Sequence, residues 1–371
     1  MGLIDRYLAR EILLPFAAAL LFLTQILLAT QILGQADVLF GSGVSLVDVG
    51  LVMLSLMPHL LGYVIPVAFL LGVVLGVGRL AEDREVVALG AAGLSPVRLV
   101  RVPLLLGLVV AALGAWLSLS VEPASIRAAR LRLNDVVKRN VTNDVRGGTF
   151  YDQIPGYTIY TERARGGRWE NVLIQDRSNP DAPMLALSRR GRLEPVGAGQ
   201  DMRLVLEQGE VHREEVGTAD YASAAFGKAE LLVGLGTALS DRNVLAKSSR
   251  EATVSDLRAR AAAAREKGDV VEERRQEGYL HRKLSAPLVV VAFALLGVPL
   301  GAERRGGRAF GMGATFLLVV VHYLLLRGGE VLTQLGHLPA AFALQLPNLV
   351  LGAAGVALVL LMARRGPEAV R

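Results

Sequence analysis

Two apolar blocks bracket a long polar middle, and that layout restricts what this chain can fold into. The first block, residues 12–121, holds three stretches long enough to cross a bilayer: Ile12–Leu33, Asp48–Val77 and Val102–Val121. The last, residues 284–362, holds three more: Leu284–Leu300, Phe310–Leu326 and Leu338–Met362. A helical span needs about 20 apolar residues, so the fourth and fifth must borrow flanking residues. Pro58 and Pro66 predict a kink in the second span. Residues 122–279 read as a water-soluble, β-rich domain. The expected fold class is an α+β membrane protein, six transmembrane helices arranged 3+3 around an inserted sheet domain, with membrane halves at 1–121 and 280–371.

The formal charge is +6, with 20% of residues charged. The surplus collects at span ends rather than in a nucleic-acid-binding stripe. The presumed inner segments carry Arg6 and Arg10; Arg79, Arg84, Arg98 and Arg101; Arg304, Arg305 and Arg308; and Arg364, Arg365 and Arg371. The short outer loops Gly34–Val47 and Thr333–His337 carry no Lys or Arg. By the positive-inside rule both termini are cytoplasmic and the middle domain lies outside. There is no cysteine, which leaves the compartment open, because a domain of this size can build a core without disulfides. Gly34-Gln35-Ala36 imitates a signal-peptide cleavage site, but the apolar run before it is longer than such a peptide needs.

The middle domain alternates over short runs: Tyr157–Thr161, Asn171–Gln175, Met184–Ser188 and Met202–Glu207. Gly147-Gly148, Pro155-Gly156, Gly166-Gly167, Asn179-Pro180 and Gly197-Ala-Gly199 separate them. This pattern predicts a sandwich, jelly roll or curved open sheet. After Gly236 the pattern turns helical. Thr253 and Asp256 have capping-box spacing, Gly268 suits a helix stop, and a second charged helix from about Val270 runs into the fourth span.

Signs of independent chemistry are missing. There is no GxxxxGK[ST] phosphate loop and no GxSxG elbow. The five histidines (His59, His212, His281, His322 and His337) have no metal-ligand spacing. The inner loop between spans two and three is more informative. Arg79–Ala92 predicts a short helix with Glu82, Asp83 and Glu85 near its start, where the helix dipole favours acids, and Gly93 at its stop. Val86, Val87 and Leu89 offer an apolar footprint beside those acids. The segment reads either as a solvated linker or as a helix that docks on a cytoplasmic partner.

At this point the sequence resembles the LptF/LptG lipopolysaccharide-export permeases over nearly its whole length. Asp5-Arg-Tyr-Leu-Ala-Arg-Glu11 matches that family's amphipathic opening segment. Gly78-Arg79, Glu85, Ala88, Ala91 and Gly93-Leu-Ser95 match its coupling-helix pattern. In the second half, His281-Arg282-Lys283, Pro287, Gly297-Val-Pro-Leu-Gly301, Arg305-Gly-Gly-Arg308 and Pro347-Asn348 match. The opening segment and the Glu85 region are slightly closer to the F member.

The resemblance implies a permease subunit in a Gram-negative inner membrane, with a periplasmic β-jellyroll-like domain and no cofactor of its own. Implied partners are a paralogous permease, a cytoplasmic LptB-like ABC ATPase dimer that binds the ATP, LptC/LptA-like periplasmic jellyroll proteins, and lipopolysaccharide. Glu82, Asp83, Glu85, Val86 and Leu89 are the ATPase-coupling candidates. Gln25, Gln31, Arg327 and Glu330 are the substrate candidates, with a local ion pair as the alternative reading of Arg327 and Glu330. Each exposed methylene costs about 0.8 kcal/mol, so a lipid with several acyl chains needs an apolar path throughout.

A secondary transporter, or an exporter of another lipid or of lipoprotein, is the rival reading. Ion coupling would call for acids or histidines in mid-membrane, where only His59 and His322 qualify, and a packed neutral imidazole accounts for each. A membrane-anchored enzyme would need a catalytic cluster in 122–279, and the sequence offers none.

Overall fold

The computed structural model describes residues 2–34, 45–93, 95–132, 147–151, 156–165, 167–177, 183–196, 201–214, 221–233, 251–302 and 307–365. Arg305, most of the first outer loop, and the breakers Asn179-Pro180 and Gly197–Gly199 lie outside these residues. The described residues form two compact units, one within 1–33, 55–126 and 249–371, the other within 34–54 and 127–248.

The helices are α1 (Leu3–Gly34), α2 (Leu46–Glu82), α3 (Glu85–Ala91), α4 (Pro96–Trp116), α5 (Val254–Glu266), α6 (Val270–Ala302), α7 (Gly307–Leu335), α8 (Ala340–Ala343) and α9 (Leu346–Arg365). Among the described residues, six helical segments are long and apolar enough to cross a membrane. α6 unites the charged helix and the fourth span without a break, and Gly278 between them stays helical.

The core of the helical unit is built on α2 and α6. Leu70, Phe69, Val73, Val290, Phe293, Ala294 and Val298 are buried there. Two family-pattern glycines set the approach of these helices. A Cβ on Gly297 would stand 2.7 Å from Val73 Cγ1, and one on Gly301 would stand 2.8 Å from the Val74 carbonyl oxygen. Asn348 closes a polar knot between α6 and the start of α9: its Nδ2 donates to the Ser285 carbonyl at 3.0 Å and to Gln345 Oε1 at 2.8 Å, and Ser285 Oγ donates to the Leu344 carbonyl at 2.7 Å. By contrast, α1 and α7 have only 11% of their most apolar stretches buried. At the head of α5, Thr253 and Asp256 form the reciprocal capping box expected from their spacing.

The second unit carries one antiparallel sheet of six strands in sequential order. They are β1 (Thr149–Tyr151), β2 (Tyr157–Arg165), β3 (Arg168–Asp176), β4 (Met184–Val196), β5 (Asp201–Glu214) and β6 (Tyr221–Val233). Of the arrangements open from the pattern, the described strands make the open sheet. One face is apolar, with Ile159, Trp169, Val172, Ile174, Ala186, Leu204 and Leu206 buried in one cluster.

A row of skipped pairings crosses the sheet. Glu162, Asn171, Arg189, Gln208 and Gly227 each fall between paired neighbours. Asn171 and Gln208 have left-handed φ values of 50° and 57°. That conformation turns the strand over by one position, so Trp169 joins Val172 and Ile174 on the same face despite the odd spacing. Hydroxyls occupy the gap: Thr161 Oγ1 lies 2.9 Å from the Arg163 carbonyl and 2.8 Å from that of Glu170, and Ser188 Oγ lies 3.1 Å from that of Arg190. Each skip is matched on the neighbouring strand, so the register is the same on both sides of the row.

Candidate functional site: a coupling face and a polar belt

Two places gather the chemistry. The first is the turn between α2 and α3. The helix expected over Arg79–Ala92 is built in two pieces: Arg79 to Glu82 finish α2, and α3 restarts at Glu85 after Arg84, whose φ is 58°. Glu82 and Asp83 are exposed, and Glu85 is half-buried. Glu85 Oε1 accepts a hydrogen bond from the Tyr7 hydroxyl at 3.1 Å. Arg79 donates to Glu11 at 2.9 Å and approaches Asp83 at 3.8 Å.

The apolar residues of α3 divide between its two faces. Val86 is buried, and Leu89 packs against the same core cluster. These residues are one helical step apart and so share the inward side. Val86 is thus turned toward the core with Leu89 half-buried beside it, and Val87 is exposed next to the acids.

The second place is a polar belt. From Arg79 to His59 along α2 is about 30 Å, and from Ala302 to Lys283 along α6 about 28 Å, at 1.5 Å per residue. From Arg308 to Arg327 along α7 is also about 28 Å. These rises match the roughly 30 Å hydrocarbon thickness of a bilayer, so the belt stands one membrane thickness from the arginine-rich ends.

Within the belt, Arg327 donates to Tyr323 Oη at 3.0 Å, sits over its ring, and pairs with Glu330. Glu330 also meets Arg282 at 2.9 Å, and Arg282 reaches the Tyr63 hydroxyl at 3.4 Å. The ion pair expected between Arg327 and Glu330 is thus present and extended by α6. Gln25 is exposed on α1 and Gln31 half-buried there, and the belt is built from other residues.

Sequence reasoning missed a neighbouring cluster. His59 Nδ1 lies 2.7 Å from Glu122 Oε1, and Ser118 Oγ donates to Glu122 Oε2 at 3.2 Å. Leu117–Val121 form a π-helical turn after α4, a feature often found at functional positions. His59, Tyr63, Ser118, Glu122, Arg282 and Lys283 line the polar end of a cleft, and Ile65, Pro66, Pro287 and Val290 are among its apolar walls. His322 is the packed imidazole expected, edge-on to Phe293 at 5.7 Å between centroids.

The family pattern described as lipopolysaccharide export system permease LptF/LptG matches residues 6–361. The chain belongs to this family. It is a multi-pass membrane protein whose permease relatives are defined as parts of a lipopolysaccharide export system. It is also 24% identical over 198 residues to an uncharacterized protein of Rickettsia prowazekii (strain Madrid E), covering 53% of this chain. The chain spans about half the length of that relative, 55%.

Proposed function

We propose that this chain is one of two paired permeases, closer to LptF, that extract lipopolysaccharide from the inner membrane toward the outer membrane. ATP is hydrolysed by a separate cytoplasmic ATPase dimer that docks on the turn between α2 and α3 and on α3 itself, with Glu82, Asp83, Glu85, Val86 and Leu89 as the coupling residues and Val87 exposed beside them. The arginines at the span ends support cytoplasmic termini and a periplasmic sheet. The largely exposed flanks of α1 and α7 suit a paralogous permease and a greasy cavity between the two. Lipid phosphates arriving at the belt meet Arg327, whose guanidinium fork suits them, with Gln25 and Gln31 as further polar contacts on α1. The acyl chains then pass to the apolar face of the sheet, whose edge strands β1 and β6 suit strand addition by periplasmic jellyroll proteins.

The observation that carries this reading is the family match from residue 6 to 361, across both membrane halves and the inserted sheet. The test is co-expression with the neighbouring permease and ATPase, followed by ATP-dependent release of lipopolysaccharide from proteoliposomes. Release that requires all the subunits supports the reading. Lipid release without an ATPase, or ion-driven uptake of a soluble substrate, would replace it.

A further inference from the structure

The start of α1 is bound to the coupling element in three ways. The Tyr7 phenol donates to Glu85, and one turn later Glu11 accepts from Arg79. Beneath them Leu8 and Ile12 are buried with Leu80, Ala81 and Val86. The α1 and α2 backbones also touch: a Cβ on Gly76 would stand 2.5 Å from the Glu11 carbonyl oxygen, and one on Gly72 would stand 2.6 Å from Phe16 Cβ.

Beyond Phe16 the helix changes character. Before it Leu8 and Ile12 are buried, although Leu3, Leu13 and Leu14 are exposed; beyond it Thr24 is the one buried residue among those described, and Leu21, Phe22, Ile26 and Leu33 are exposed. At 32 residues, α1 is about 48 Å long. It is held firmly at the end beside α3 and lightly along the rest.

We propose that α1 is a lever worked by the coupling element. Tyr7 and Glu11 are positioning residues that fix its short arm to Glu85 and Arg79. The contacts at Gly72 and Gly76 are the fulcrum, and a displacement of α3 swings the far end near Leu33. The inference rests on the coupling role proposed for α3 and adds the path by which that motion reaches the membrane. An exposed hydrogen bond adds little stability. Its value here is directional, because it makes the phenol follow Glu85 when that carboxylate engages a partner's cation. Packed interfaces turn small displacements into discrete shifts of whole elements, and a helix held at one end delivers the shift at the other.

The chain has no cysteine, so paired labels can be placed without background from this subunit. Nitroxides at Leu33→Cys and Trp116→Cys report the swing by pulsed electron spin resonance in the assembled complex, with and without trapped nucleotide. The lever predicts a nucleotide-dependent distance change that is at least halved by Tyr7→Phe with Glu11→Gln, while the ATPase still copurifies. Glu11→Arg alone should do the same, and adding Arg79→Glu should restore the change by rebuilding the pair. An undiminished change in Tyr7→Phe with Glu11→Gln, or failure of the charge swap to rescue, overturns the lever. Glu85→Arg separates this from the reading beneath it. If Glu85→Arg abolishes the change and the Tyr7 and Glu11 variants do not, the lever alone fails. If Glu85→Arg behaves as the parent, the coupling reading fails and the lever falls with it.

Discussion

His59 Nδ1 stands 2.7 Å from Glu122 Oε1 and so joins α2 to the helical stretch 122–132 that follows the π-helical turn. Both side chains are largely buried, at 12% and 14% exposed. Leaving such a group unpaired costs about 1–3 kcal/mol. His59→Leu should therefore lower the unfolding free energy of the detergent-purified protein by about that much, whereas Glu122→Gln, which keeps hydrogen-bonding capacity, should cost less. Equal and negligible effects in thermal or denaturant unfolding would show that the pair is incidental.

The glycines of α2 and α6 should divide sharply. At Gly301 a new Cβ meets the Val74 carbonyl oxygen, and at Gly297 it meets Val73. Gly297→Val and Gly301→Val should each destabilise by about 1–3 kcal/mol through overpacking. Gly62 has nothing within 4 Å of a new Cβ, so Gly62→Ala should be neutral or stabilise by about 0.5–1 kcal/mol from helix propensity. Melting temperatures of the three variants check the contrast.

Trp169 is almost fully buried on the apolar face of the sheet. Trp169→Ala should cost about 3–5 kcal/mol. Limited proteolysis of the full chain should then cut within 149–233 first, leaving the helical unit intact. Cleavage unchanged from wild type would mean that this face is not what holds the sheet.

Parts of this architecture were legible because the signals are local. Thr253 and Asp256 announced the head of α5, and the charged run from Val270 through His281-Arg282-Lys283 announced α6 as one helix. The alternation of β2 to β5 marked strands, but the left-handed Asn171 and Gln208 follow from cross-strand geometry that residue type does not encode. The inward turn of Val86 was also illegible, since a seven-residue helix has too few turns to reveal a periodic face. His59 and Glu122 are 63 positions apart, and only the packing of α2 against the helix after α4 makes them partners.

Arg327 offers a test of lipid contact that spares the fold. Arg327→Glu sets a like charge one helical step from Glu330, which costs only about 0.2–0.5 kcal/mol, so assembly should survive. Photo-crosslinking to lipopolysaccharide from a probe on α7 should fall, and Tyr323→Phe, which removes only the phenol accepting from Arg327, should change it less. Unchanged crosslinking in Arg327→Glu would leave the residue a structural ion-pair partner.

The most direct measurement of the account is ATP-dependent transfer of lipopolysaccharide in proteoliposomes holding this permease, its paralogue and the ATPase, scored by photo-crosslinking to a soluble jellyroll acceptor. A charge pair at such an interface couples by roughly 1.5–7 kcal/mol when closely packed, so Glu85→Arg should cut transfer strongly, Glu85→Ala less, and a reversed charge on the ATPase should restore part of the loss. Transfer with ATP in the wild type and its loss in Glu85→Arg is the predicted result. No lipopolysaccharide transfer by the complete wild-type complex, or wild-type transfer by Glu85→Arg, would contradict it.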